Sequence, residues 1–157
     1  MTEQVFNFII QTRQAFIQLV DSLSVAELNQ IPEGFRNNII WNFGHIVVST
    51  QTLCYVRTGI KNDATEVKYN DDYKRDTKPS RYINAEEINE LKSLAISTIE
   101  SIREDYEQGV FKKVQSFATL TYKVEMTSFE EILTTTAGHD NIHLGYALAQ
   151  KNLIKKQ

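Results

Sequence analysis

Two of the chain's three histidines stand four residues apart in "AGHDNIHLGYALAQ", residues 137–150. On a helix that spacing puts His139 and His143 on one face, one turn apart, where both imidazoles reach a single ion. The remaining histidine, His45 in "WNFGHIVVST", also lies in a segment with the apolar spacing of a core helix. Facing helices pack about 8–10 Å apart, so side chains from two of them converge on one ion at Zn–N distances of about 2.0–2.1 Å. Three histidines then fill three positions of a tetrahedral ion and leave the fourth open, the pattern of a catalytic zinc. The pair alone also reads as two hydrogen-bonded core imidazoles. The third histidine on a core face is what favours a shared ligand.

"HDNIH" is the zincin motif HExxH with Asp140 in place of the glutamate. A zincin needs that acid as general base and a further ligand downstream. After His143 the chain is "LGYALAQKNLIKKQ", with neither acid nor histidine, so the third ligand must come from upstream. Asp is one methylene shorter than Glu, and Asp140 is expected first as a supporting or surface residue. Helical spacing sets Trp41 and Asn42 one turn before His45 and Ser49 one turn after it. It sets Thr135 and Thr136 before His139, and Tyr146 after His143. Trp41, Asn42, Ser49, Thr135 and Tyr146 are candidates for a substrate pocket, since polar neighbours orient ligating imidazoles and line a cavity. Ordinary helix back-bonding for the threonines and core packing for Trp41 are the competing readings. Cys54 lies nine residues after His45, about half a revolution round the helix, and is expected as a buried structural thiol.

These residues need helices to hold them. Val5, Phe6, Ile9, Ile10, Phe16, Ile17 and Val20 follow a 3.6-residue period and predict a helix over 2–22. "SVAE" at 24–27 has the capping-box form and opens a short turn before "IPEG". A second long helix is predicted from Asn38 to Arg57, with Gly59 as its C′ residue. Residues 60–83 are polar, broken by Pro79 and without period, and read as a long connection. "NAEE" caps a helix from 84 to about 108, stopped by Gly109. The stretch "VFKKVQSFATLTYKVEMT" mixes β-branched and aromatic residues and divides evenly between short strands and extended chain. "SFEE" at 128–131 caps the last helix, which carries His139 and His143 to about residue 150. The expected fold is therefore all-α: one domain over 1–157, a four-helix bundle whose two long links permit crossovers between parallel neighbours.

Composition narrows the function classes. A net charge of −3 argues against nucleic-acid or anionic-membrane binding, which clustered Lys and Arg drive. Lys151, Lys155 and Lys156 are expected to complement the negative end of the last helix. No apolar run approaches a membrane span. The first twenty residues, with Glu3 and Arg13 among the apolar ones and no small-residue cleavage site, do not read as a signal peptide. A solitary cysteine forbids an intramolecular disulfide. The cytoplasm is the expected location.

Taken together, "LNQIPEG", "WNFGHIVVS" and "AGHDNIHLGYALAQ" resemble the DinB-like (DinB/YfiT) superfamily of four-helix-bundle metalloproteins. The paired W-x-x-G-H and late H-x-x-x-H-x-G carry the resemblance. It implies a divalent-metal site on His45, His139 and His143, usually zinc or nickel, and a homodimer. Relatives with assigned chemistry are thiol-dependent isomerases and S-transferases that use a low-molecular-weight thiol, and because a bound metal lowers the pKa of a coordinated thiol or water, the expected activity is of thiol S-transferase or hydrolase type on a small molecule. The second domain of mycothiol-dependent isomerases has no room in this length. The rival expectation is a non-catalytic, stress-linked metal-binding dimer.

Overall fold

Side-chain caps start three of the four long helices where the sequence places them. Residues 1–156 are described by the computed structural model. Helix α1 spans Thr2–Asp21, and the short α2, Val25–Asn29, opens on a complete capping box in which Ser24 Oγ accepts from Glu27 N and Glu27 returns to Ser24 N. Helix α3, Ile39–Gln51, is capped by Asn38, whose Oδ1 accepts from Trp41 N at 2.9 Å. It continues as a π-helical turn, Thr52–Val56, where Arg57 N reaches back to Thr52 O. The predicted 38–57 helix is thus two geometries in one run, and Gly59 closes it at φ +76°. After the one-turn α4, Asn70–Tyr73, helix α5 spans Ala85–Glu107. A 3₁₀ turn, Val110–Lys112, leads to a minimal antiparallel hairpin, β1 Phe117–Ala118 and β2 Glu125–Met126. Helix α6 runs from Phe129 to Ile154 on a second complete capping box, Ser128 with Glu131.

Cross-helix bonds fix the directions. Arg13 meets Asp140 and Ser22 meets Lys151, so α1 and α6 run parallel. Asn7 pairs with Arg103 and Asp21 with Lys92, so α5 opposes α1. Asn42 meets Gln150 while His45, further along α3, faces His139, so α3 opposes α6. The helices pack around a square in the order α1, α6, α3, α5. Only the 57–84 link therefore joins parallel neighbours; the 108–128 link joins helices that oppose each other across the diagonal.

The 57–84 link is less structureless than its composition implies. Tyr73 is buried, with its hydroxyl donating to Glu87 Oε1 at 2.7 Å, and Arg81 pairs with the same carboxylate at 2.7 Å. In "NAEE" Glu87 stands three residues after Asn84, the position from which a capping-box carboxylate returns to the cap. Asn84 Oδ1 does accept from Glu87 N, but the carboxylate turns to Tyr73 and Arg81 and clamps the link instead. The C-terminal lysines likewise do more than face the helix end: α6 extends past residue 150, and Lys155 bonds Glu27 at 2.6 Å, tying α6 to α2. No helix among the described residues is long and apolar enough to cross a membrane.

Candidate metal centre

The three histidines come together between α3 and α6. Ring centroids lie 4.6 Å apart for His45 and His143, 4.6 Å for His139 and His143, and 5.1 Å for His45 and His139. One nitrogen from each lies within 4.8 Å of the other two. In a tetrahedral ion with bonds of about 2.0–2.1 Å the nitrogens sit about 3.3–3.4 Å apart, so modest side-chain rotation brings these donors onto one centre.

Two rings are held at Nδ1, which leaves Nε2 as the ligating atom. His45 Nδ1 lies 2.6 Å from the carbonyl of Tyr73, an acceptor only, so this nitrogen carries the proton. His143 Nδ1 lies 2.8 Å from Asn42 Oδ1. His139 Nδ1 is buried and has no hydrogen-bond partner among the described residues. Burial pushes His45 down to about 4, with the Tyr73 carbonyl opposing part of that effect. Burial, then the nearby Arg13 charge, brings His139 to about 4, and burial with the two neighbouring imidazoles brings His143 to about 2. All three rings are therefore neutral near pH 7, the form that ligates metal. The donor set, its spacing and its protonation fit a divalent ion.

Gly44 explains how Tyr73 reaches His45. A Cβ at Gly44 would stand 2.5–2.7 Å from the Tyr73 ring. Without it the ring lies against α3 and brings its own carbonyl onto Nδ1. The W-x-x-G-H spacing thus includes a glycine for close approach.

The candidate pocket residues fall into different places. Trp41 stacks on His45 at 4.7 Å between centroids and 12° between planes, and its Nε1 donates to Thr77 Oγ1. Ser49 Oγ lies 3.2 Å from His45 Nε2, beside the ligating position. Tyr146 is half exposed, 6.2 Å from His143 and edge-on to Phe35. Asn42 is fully buried and holds His143. Thr135 lines a surface groove of about 300 Å³ with Met1, Val124 and Met126, one turn before His139. Thr136 is buried and back-bonds to Ile132 O, as the helix reading expected. Cys54 is fully buried in the core with Ile99 and Ile102, and burial pushes its thiol up to about 12.

Asp140 is not at the surface. Its Oδ2 accepts from Arg13 Nε at 2.8 Å with both side chains fully buried. The other guanidinium nitrogens reach Ala95 O, Thr98 Oγ1, Ile46 O and Thr50 Oγ1, so Arg13 draws on α3, α5 and α6 at once. Arg13 escaped sequence reasoning because it looks like a polar interruption of an amphipathic helix. Tyr73 and Gln150 escaped it because both act through positions remote in sequence from the histidines.

No curated protein matches the chain significantly. The family model for the DinB superfamily matches residues 9–147, a span that contains all three histidines. The chain belongs to the DinB superfamily.

Proposed function

We propose that the chain is a divalent-metal-dependent enzyme of thiol S-transferase or hydrolase type. The observation that carries this is the incomplete ligand set. Three neutral imidazoles converge, and among the described residues no fourth His, Cys, Asp or Glu joins their group. His45, His139 and His143 would hold the ion, with zinc or nickel suited to three imidazoles. When bound, it supplies Lewis acidity that lowers the pKa of a thiol or water. The remaining roles belong to this chain's residues. Trp41 walls one side of the His45 ring, and Ser49 Oγ is placed to hydrogen-bond a group beside His45 Nε2. Tyr146 and Phe35 form an aromatic rim that suits an apolar electrophile.

Metal-replete protein incubated with a low-molecular-weight thiol and a panel of neutral electrophiles, and separately with esters and amides, tests the reading. Turnover lost in His143→Ala supports it; no turnover in either panel speaks for a binding role. One observation favours that second reading, a non-catalytic metal-binding module. The carboxylate nearest the histidines in sequence, Asp140, is fully buried and paired through Oδ2 with Arg13 rather than presented to an open site.

A homodimer is proposed as the assembled form. Ile142, Tyr146, Ala149 and Leu153 follow a 4-3-4 spacing along one face of α6, and the three large side chains remain 37–52% exposed. A buried thiol and no disulfide partner suit a reducing compartment, with the cytoplasm as the proposed location.

A further inference from the structure

We infer that Gln150 is a positioning residue for the metal centre: acting through Asn42, it sets which nitrogen of His143 is left to ligate. This rests on the metal-binding reading above. The polarity begins at the backbone carbonyl of Asn37, which accepts and cannot donate. Gln150 Nε2 donates to that carbonyl at 2.8 Å and to Asn37 Oδ1 at 3.1 Å, so Gln150 Oε1 must point the other way. Oε1 then accepts from Asn42 Nδ2 at 3.0 Å, and the same Nδ2 donates to Asn38 O, also at 3.0 Å.

A flipped Asn42 amide would set its oxygen against two acceptors in a site where both amide side chains are fully buried. Asn42 Oδ1 is thereby fixed toward His143 and requires a proton on Nδ1, 2.8 Å away. The lone pair is left on Nε2. An unrestrained neutral imidazole favours the opposite tautomer, so the relay imposes a choice that the ring would not make alone. His45 obtains the same tautomer directly from the Tyr73 carbonyl, whereas His143 obtains it through two amide side chains.

Long-range ¹H–¹⁵N correlation of the histidine rings in metal-free protein reads the tautomer, and competition with a chromophoric chelator reads Zn²⁺ affinity. Wild type is expected to hold His143 as the Nδ1–H form. Gln150→Leu removes one of the two acceptors that orient the Asn42 amide and leaves only Asn38 O against a flip, so that the tautomers mix and Zn²⁺ binding weakens about 10–100-fold, as loss of a ligand's supporting hydrogen bond does. Adding Asn42→Asp to Gln150→Leu supplies an acceptor that needs no orientation and restores the Nδ1–H form. A wild-type His143 in the Nε2–H form overturns the inference even if a variant does not fold. So does a Gln150→Leu protein with wild-type tautomer and affinity. If wild type binds no Zn²⁺, the metal reading fails, while the ring spectrum still decides the relay.

Discussion

Arg13 Nε and Asp140 Oδ2 are 2.8 Å apart with neither side chain exposed, which joins α1 to α6 one residue from His139. Removing one member of a buried pair strands the other charge, at a cost of about 3–5 kcal/mol. Arg13→Met and Asp140→Asn are each expected to lower stability in urea unfolding by that order. Were Asp140 a zincin-like base, Asp140→Asn would instead abolish turnover and leave the unfolding midpoint in place.

Gly44 carries a second prediction. Gly44→Ala forces a methyl against the Tyr73 ring, and overpacking of this kind costs about 1–3 kcal/mol. The ring's retreat takes the Tyr73 carbonyl off His45 Nδ1. Thermal unfolding and Zn²⁺ affinity should therefore fall together, whereas Ala at the open, mid-helix Gly145 should leave Zn²⁺ affinity unchanged and raise the unfolding temperature slightly.

Acid should loosen the α2–α6 tie. Glu27 is held at about 2, below its ordinary 4.5, by the Lys155 ammonium first and then by the Ser24 N–H and hydroxyl. A carboxyl lowered in the folded state contributes stability above pH 4.5 and loses it as pH falls toward 2. The stability difference between wild type and Glu27→Gln should be constant above pH 4.5 and vanish on descent to pH 2, as read by urea titrations across that range.

The exposed α6 stripe predicts the assembly state. Ile142→Asp places a charge at the N-terminal end of that face and should convert a dimer to a monomer in sedimentation velocity, with the helical circular dichroism unchanged. A wild-type monomer at micromolar concentration would falsify the dimer.

Much of this was legible in the sequence because it is local. Ser24, Asn84 and Ser128 announce their helices through residues three positions on, and the i, i+4 histidines share a face whatever the bundle does. Asp140 was misjudged in part because helical spacing says which face a residue lies on but not what waits there. The waiting group is Arg13, 127 positions away. The α4 turn was missed for a similar reason. It has no periodicity, only Tyr73 as a buried anchor, and what orders it is Glu87 on another helix. Asn42 was found for its nearness to His45, yet its bond is to His143 across the bundle.

Metal content is the plainest reading of a three-histidine site. Protein prepared without an affinity tag and equilibrated with Zn²⁺ or Ni²⁺ should retain one ion per chain after desalting and unfold at a higher temperature than the metal-free form. His45→Ala, His139→Ala and His143→Ala should each lose both the ion and the shift. Wild-type protein that retains no ion, or variants that keep the wild-type stoichiometry and shift, would contradict the account.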